Sequence, residues 1–230
     1  MSVLVGKQAP VFNTKAVVNG SEIVTDFSLK QYEGEKYVVF FFYPADFTFV
    51  CPTELIAFQE KAAEFEARNT VLVGASTDSA FSHWKWLQTP QNQGGIQGVN
   101  YPLVADHSLE ISKAYDVLAG EEVYDEEGNI KFVGDPEAYR GLFLIDKSGV
   151  VRHQVVNDMP LGRSVEEILR VIDSLQLTDN YKVATPANWQ DGEDVVIVPS
   201  IKDEAELKER FPKGYTAVKP YLRLTPQPNK

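Results

Sequence analysis

The chain has 230 residues, of which 43% are hydrophobic and 24% charged, as in a globular protein that buries a core without disulfides or metals. A formal net charge of −11, without a cluster of lysines or arginines, argues against nucleic-acid binding. No apolar run reaches membrane-spanning length, no signal peptide is evident, and a single cysteine suits a reducing compartment, so we expect a cytoplasmic protein.

The first half of the chain predicts alternating strands and helices. The turn dipeptide Asn19-Gly20 lies between two apolar pairs, a pattern typical of a β-hairpin. Residues 37–43 form an unbroken β-branched and aromatic run, which predicts a strand buried on both faces. A helical spacing of apolar residues over 51–67 and a buried strand over 71–75 follow. This order predicts two parallel strands joined by a right-handed crossover.

The middle of the chain continues the alternation. Helices are predicted over residues 79–88 and 108–116, separated by a loop over 91–98 and a short strand over 103–105. Residues 119–138 are acidic and contain glycine and proline, so we expect an exposed excursion with a hairpin.

Two paired strands and a capped helix complete the predicted domain. The apolar runs 142–145 and 150–156 flank a turn, and Ser164 and Glu167 form a capping box that opens the next helix. The alternation of elements predicts an α/β fold in which a central sheet is flanked by helices.

The composition changes after residue 176, where six of the 13 prolines fall between residues 186 and 228. We expect an α/β domain over residues 1–176 and a C-terminal extension over residues 177–230. Within the extension, residues 201–211 predict one short helix, and the rest predicts an extended arm.

Cys51 is the single cysteine of the chain, and it opens the helix predicted over residues 51–67. A helix N-terminus offers free backbone N–H groups and a partial positive charge, which favour a thiolate. A lone cysteine is more often a small buried residue. The first-turn position, with Pro44 and Thr48 close before it, favours a reactive thiol instead.

The segment from Pro44 to Cys51 resembles the peroxidatic motif of the peroxiredoxins, Pro-x-x-x-Thr-x-x-Cys. Residues 139–146 and 156–164 resemble the two segments that supply the active-site arginines of that family. The resemblance covers about residues 1–176. It implies a thioredoxin-like fold and the reduction of hydrogen peroxide and alkyl hydroperoxides through a sulfenic acid, without metal, flavin or haem.

The resemblance also implies roles for two arginines. Arg140 is assigned to the peroxide pocket, where its guanidinium would hold the thiolate and the leaving oxygen, and Arg163 to a supporting position. For Glu54, two interpretations stay open: it orients an arginine through a bidentate pair, or it is a first-turn carboxylate favoured by the helix dipole.

Thr48 and Pro44, which precede Cys51 in the chain, are the subject of two further hypotheses. Thr48 lies three residues before the cysteine, so if this turn is already helical its hydroxyl shares a face with the sulfur and can reach the thiolate or the peroxide; its alternative role is an N-cap. Pro44 would limit the access of water to the thiolate, and its alternative role is to terminate a strand. The histidines His83, His107 and His153 show no metal-ligand spacing, so they are interpreted as structural or surface groups.

The sequence departs from the two-cysteine pattern of the family. Thr185 stands where such members carry a resolving cysteine, and the tail resembles the one-cysteine subgroup, whereas Tyr43 is typical of the two-cysteine branch. A sulfenic acid at Cys51 must therefore react with an external thiol, either glutathione or a thioredoxin-like protein, or with Cys51 of another subunit.

The resemblance further implies a homodimer formed by residues 177–230, with a decameric ring as a further option. A rival hypothesis is a redox-sensing holdase chaperone or scaffold, in which Cys51 is only a sensor and a serine replacement leaves the function intact. A disulfide reductase of the thioredoxin type would need a Cys-x-x-Cys pair, which this sequence lacks.

Overall fold

The computed structural model describes residues 2–230, which form two compact units. The first unit ends at Val165, and the second covers Glu166–Lys230. The expected roles of residues 1–176 as a catalytic domain and of residues 177–230 as a dimerisation arm stay predictions. Among residues 2–230, no helix combines the length and the apolar composition needed to cross a membrane.

The first unit is built on a mixed β-sheet. The strands of this unit are β1 (Thr14–Val18), β2 (Glu22–Phe27), β3 (Tyr37–Phe42), β4 (Thr70–Ser76), β5 (Leu103–Ala105), β6 (Glu121–Tyr124), β7 (Ile130–Val133), β8 (Arg140–Ile145) and β9 (Val151–Asn157), of which β6 and β7 pair only with each other. Its helices are α1 (Cys51–Glu60), α2 (Ala62–Ala67), α3 (Ala80–Gln88) and α4 (Glu110–Ala114). In the described part of the chain, the main sheet has seven strands in the order β2-β1-β5-β4-β3-β8-β9. Strands β3, β4 and β5 are parallel, and the remaining pairs are antiparallel, which confirms the predicted central mixed sheet.

The first hairpin forms where Asn19-Gly20 predicts it. Asn19 and Gly20 have φ angles of 51° and 70°, the left-handed region in which asparagine and glycine are tolerated best. Val18 pairs with Glu22, so the connection has three residues rather than the two that the dipeptide indicates. The main-chain N–H of Ser21 closes it on the Val18 carbonyl at 3.1 Å.

Strand β3 lies inside the sheet and sets the position of the site. All six of its residues are buried, as the unbroken apolar run predicts, and it pairs in parallel with β4 from Tyr37–Thr70 onward. On its other side β8 runs antiparallel, with Phe41 opposite Leu142. The carboxyl end of β3, which leads to α1, therefore lies beside the first residue of β8, Arg140.

Two helices differ in extent from the sequence prediction, whereas the helix predicted over residues 79–88 forms. The helix predicted over residues 51–67 is interrupted at Lys61, whose ψ angle of 4° ends α1 before α2 begins. The helix predicted over residues 108–116 is shorter because Leu109, with φ at 65°, cannot continue a right-handed helix. The third helix, α3, begins after Ser79, whose hydroxyl accepts the main-chain N–H of Ser82.

The acidic excursion over residues 119–138 contains the expected hairpin, made by β6 and β7. Its base is closed by the main-chain N–H of Ala119, which donates to the Glu137 carbonyl at 2.8 Å. At the tip, the Asp125 carboxylate accepts the main-chain N–H groups of Glu127 and Asn129, the arrangement of an exposed Asx turn.

The second unit contradicts the prediction of an extended arm. The unit contains all but the first residue of helix α5 (Val165–Asn180), and it also contains helix α6 (Glu204–Arg210). Its strands are β10 (Val183–Ala184), β11 (Val195–Ile197), β12 (Thr216–Lys219) and β13 (Leu222–Thr225). These strands form a sheet in the order β10-β11-β13-β12. Its core contains Leu177, Val183, Trp189, Val195, Ile197, Ile201, Leu207 and Phe211. Strands of two to four residues are too short for hydrophobic periodicity to reveal.

We predict that the core of the second unit depends on Trp189. Its side chain is 1% exposed, and its indole N–H donates to the Glu193 carbonyl at 3.1 Å. Trp189→Ala should lower the free energy of unfolding by about 3–5 kcal/mol, measured by urea denaturation followed by circular dichroism. Trp84→Ala is the matched control, because Trp84 is 40% exposed. Equal losses in the two variants would contradict this assignment of the core.

Candidate active site

Cys51 is the first residue of α1 and is completely buried. Pro52 follows it in the first turn, where a proline needs no N–H partner. The residue at the N-cap position is Val50, and no side chain caps this helix. The alternative interpretation of Thr48 as the N-cap is therefore wrong. The main-chain N–H groups of Thr53 and Glu54 donate to the Val50 carbonyl at 3.0 and 3.4 Å and close the first turn.

Arg140, the first residue of β8, brings a guanidinium to the sulfur. Its Nη1 lies 3.5 Å from Cys51 Sγ and donates toward it. The same nitrogen donates to Glu54 Oε2 at 2.6 Å, and Nε donates to the Met159 carbonyl at 2.6 Å. These two further acceptors hold the guanidinium in place, so its contact with the sulfur does not depend on the sulfur alone.

Arg163 supports the same carboxylate from the opposite side. Its Nε and Nη2 donate to Oε1 and Oε2 of Glu54 at 2.8 and 3.0 Å, and its main-chain N–H also donates to Oε1 at 2.8 Å. Its Nη1 donates to the carbonyls of Phe42 and Gly141 at 2.9 and 2.8 Å, and its guanidinium lies over the Phe41 ring. This bidentate pair fixes the carboxylate that in turn holds Arg140.

Glu54 is a buried carboxylate between two cations. Burial alone would raise its pKa, but the charge and hydrogen bonds of Arg163, together with the charge of Arg140, outweigh that effect. The pKa of Glu54 is therefore below its ordinary value. Of the two interpretations of Glu54, the structure contains the bidentate pair, and it extends that pair to a second arginine.

The arginines and the glutamate of this cluster carry one net positive charge beside the sulfur. The side chains of Arg140, Arg163 and Glu54 are each 2–3% exposed, so two cations and one carboxylate are buried together. Buried charges are stable only when they are paired and hydrogen-bonded. A thiolate at Cys51 would bring the formal charge of the cluster to zero.

The loop before Cys51 carries the other two predicted residues. The Thr48 hydroxyl donates to the Ala45 carbonyl at 2.9 Å, which leaves its oxygen lone pairs free to accept a hydrogen bond. Pro44 is buried directly after the end of β3. Their catalytic roles stay predictions.

No sequence pattern predicts the buried polar cluster that lies at the start of this loop. His83, in α3, contacts Asp46 through Nδ1, and the Tyr43 hydroxyl donates to the same carboxylate. No local pattern singles out His83, because its partners lie about 40 residues earlier in the chain. Among residues 2–230, no group of three or more histidine, cysteine, aspartate or glutamate side chains has the geometry of a metal site.

Comparisons with known proteins show which family the chain is similar to. The sequence profile of the AhpC/TSA family matches residues 5–154, and that of the C-terminal domain of 1-Cys peroxiredoxin matches residues 174–214. Peroxiredoxin 2 of Drosophila melanogaster is 47% identical over 205 residues, which cover 89% of this chain and 95% of that protein.

Two solved structures extend the comparison to the fold. The reduced 2-Cys peroxiredoxin of Plasmodium vivax aligns with a TM-score of 0.76 and 40% identity, over 85% of this chain and 93% of its own. The yeast mitochondrial 1-Cys peroxiredoxin aligns with a TM-score of 0.81 and 34% identity, over 98% of this chain and 100% of its own. These similarities confirm the predicted thioredoxin-like fold.

We predict that Glu54→Gln destabilises the protein by about 3–5 kcal/mol, because it leaves two buried guanidinium groups facing a neutral amide. Since the pKa of Glu54 is lowered in the fold, its contribution is complete above its ordinary value of 4.5 and is lost as the pH falls toward the folded-state value. Urea denaturation at neutral and acid pH measures both effects. Glu60→Gln, at an exposed position of the same helix, is the control. Equal stability of the two variants would exclude the coupling.

Proposed function

The chain belongs to the peroxiredoxin family, whose members are thiol peroxidases, and we propose that it reduces hydrogen peroxide and alkyl hydroperoxides by a one-cysteine mechanism at Cys51. The observation that carries this proposal is the contact between Arg140 Nη1 and Cys51 Sγ, braced by Glu54. A cation that is held beside a buried thiol favours the thiolate, which is the reactive form, and a cysteine that serves only for packing needs no such cation.

In the proposed first step, the Cys51 thiolate attacks the outer oxygen of a hydroperoxide. An S–O bond forms while the O–O bond breaks, so the sulfur loses two electrons and the peroxide gains them. The leaving alkoxide or hydroxide takes a proton from solvent and departs as an alcohol or water. Cys51 remains as a sulfenic acid.

Arg140 is proposed as the catalytic cation of this step. Negative charge moves from the sulfur to the leaving oxygen as the O–O bond breaks. A guanidinium that already contacts the sulfur can follow this charge without reorganising, since Glu54 and the Met159 carbonyl hold it. Arg163 acts through Glu54 and is proposed as a positioning residue.

Thr48 and Pro44 are proposed to shape the place of the peroxide. The free lone pairs of the Thr48 hydroxyl can accept a hydrogen bond from the O–H of the hydroperoxide and orient its outer oxygen toward the sulfur. Pro44 has no N–H group, so it offers water no donor beside the thiolate.

The second step needs a thiol from outside the chain. Thr185, at the position of the resolving cysteine in two-cysteine members, forms a hydrogen bond with Ser174 at 2.6 Å and offers no sulfur. An external thiol would displace water from the sulfenic acid to form a mixed disulfide, and a second thiol would release Cys51. The similar yeast protein is described as resolved by glutathione and thioredoxin systems, which supports these two classes of reductant here.

We further propose a homodimer that uses residues 177–230, with a decameric ring as its larger form, and a cytoplasmic location. The resemblance to the one-cysteine subgroup and the single cysteine support these proposals. The yeast relative is mitochondrial, so a reducing compartment other than the cytoplasm fits the same chemistry. The rival function, a chaperone that uses Cys51 as a sensor, would also need a reactive thiol beside a cation, so catalytic turnover of peroxide is what separates the two.

Replacing Arg140 by lysine should slow the oxidation of Cys51 by hydrogen peroxide about 100-fold, because lysine keeps the charge but loses the hydrogen bonds that fix it beside the sulfur. Stopped-flow measurement of the second-order rate constant checks this. Arg152→Lys is the matched control, because Arg152, on β9, forms an ion pair with Asp146 and has no contact with Cys51 or Glu54 among those that hold the site. If both variants react at the wild-type rate, Arg140 is not the catalytic cation.

We predict that one equivalent of peroxide converts Cys51 to a sulfenic acid that dimedone traps completely in the absence of other thiols. Mass spectrometry of the intact protein measures the adduct, and Cys51→Ser should show neither an adduct nor peroxide turnover. Glutathione or a reduced thioredoxin, added before dimedone, should prevent the adduct. A disulfide between the Cys51 residues of two chains would instead show that the protein resolves itself, and a Cys51→Ser protein with full function would favour the chaperone.

A further inference from the structure

We propose that His83 is a positioning residue for the peroxidase reaction, which as a cation bound to Asp46 fixes the loop that presents Cys51. This inference rests on the proposed function and adds to it a residue outside the site. The loop is residues 43–50, between the end of β3 and the start of α1. We call it the cysteine loop.

The cysteine loop is fastened at its first half. The main-chain N–H of Tyr43 donates to the Ala75 carbonyl at 2.9 Å, and that of Asp46 donates to Asp78 Oδ2 at 2.8 Å. Phe47 then adopts a φ angle of 55°, which is unfavourable for a residue with a large side chain. A conformation of this kind persists only where surrounding contacts hold it.

The strongest of these contacts is a buried pair between His83 and Asp46. His83 is completely buried, and the Asp46 side chain is 1% exposed. His83 Nδ1 lies 2.9 and 3.1 Å from the two carboxylate oxygens of Asp46. The Tyr43 hydroxyl donates to Asp46 Oδ1 at 2.9 Å. Helix α3 is thereby tied to the cysteine loop through one carboxylate.

The neighbours of the imidazole call for a proton on both nitrogens. Nε2 lies 3.1 Å from the Val104 carbonyl, which can only accept a hydrogen bond, so Nε2 carries a proton. Nδ1 faces the Asp46 carboxylate, which accepts in the same way. An imidazolium satisfies both contacts. In a neutral ring protonated at Nε2, the Nδ1 lone pair could accept only from the Tyr43 hydroxyl, 3.3 Å away, and that hydroxyl would have to give up Asp46.

The charges around the cluster favour this cation. Burial alone would lower the pKa of His83, but the charge and hydrogen bond of Asp46, together with the charge of Asp78, raise it above its ordinary value of 6.5. Burial and the charge of Asp46 raise the pKa of Tyr43 well above its ordinary value, so its hydroxyl stays a neutral donor. Asp46, Asp78 and Tyr43 are the titratable groups that act on His83.

Loss of the proton would loosen the cysteine loop. The hydrogen bond from Nδ1 to Asp46 would be lost, and the Tyr43 hydroxyl, 3.3 Å from Nδ1, could bond the neutral ring only by giving up its bond to Asp46. Because the folded-state pKa is raised, the stabilisation is complete below pH 6.5 and is lost as the pH rises through the folded-state value.

The link to the reaction is the short stretch of chain between Asp46 and Cys51. Asp46 lies five residues before the sulfur, and the loop between them contains Thr48, the proposed peroxide-orienting residue. Glu54 and Arg140 hold the other end of this stretch. A loop released at one end lets Thr48 and the sulfur move relative to the fixed guanidinium, and small misplacements of reacting groups are costly in rate.

The test is the pH profile of Cys51 oxidation in His83→Asn, with His107→Asn as the control at an exposed position. Asparagine can donate to Asp46 but carries no charge and does not titrate. We expect the rate constant of the wild type to decline at alkaline pH, and that of His83→Asn to be about 10-fold below wild type at neutral pH without this decline. His107→Asn should keep the wild-type rate constant and its decline. A profile and rate identical to wild type in His83→Asn would overturn the proposal.

A second measurement uses the unmodified protein and covers the case in which His83→Asn fails to fold. Nuclear magnetic resonance of the His83 ring gives its titration, and amide hydrogen exchange reports the opening of residues 43–50. Exchange should accelerate and oxidation should slow through the pH range in which His83 loses its proton. A ring that is neutral throughout, or exchange that ignores its titration, would refute the role of His83. Failure of the proposed function would look different: the wild type would not consume peroxide at any pH.

Discussion

The arrangement around Cys51 depends on one carboxylate held between two buried guanidinium groups. Glu54 accepts hydrogen bonds from both Arg163 and Arg140, and Arg140 reaches the sulfur with the nitrogen that also contacts this carboxylate. Without Glu54, the two cations would repel each other in a medium of low polarity. The carboxylate therefore permits the second arginine to be buried at the sulfur, and the remaining positive charge favours a thiolate there.

The sheet explains how residues so far apart in sequence meet. Cys51 follows β3, and Arg140 begins β8, which runs antiparallel to β3. The end of one strand and the start of the other therefore lie side by side. Arg163 comes after β9 and reaches back to the main-chain carbonyls of Phe42 and Gly141, at the edges of these two strands. The backbone of the core thus positions the cations, and the first residue of α1 contributes the sulfur.

The sequence could predict the local features of this fold because they depend on neighbouring residues. The buried run of β3, the first-turn position of Cys51 and the Asn19-Gly20 hairpin are of this kind. The approach of Arg140 to the sulfur spans 89 residues and came from resemblance to a family, not from spacing. The short strands of the second unit and the pair of His83 with Asp46 escaped prediction, since each is defined by partners distant in the chain.

The charge balance of the cluster is tested most directly by the ultraviolet absorbance of the thiolate at neutral pH, taken as the difference between the wild type and Cys51→Ser. We expect a thiolate band in this difference and its loss in Arg140→Met, because the methionine removes the charge that the sulfur balances. A difference spectrum without the band, or a band that Arg140→Met leaves unchanged, would contradict the central role of the arginine–glutamate cluster.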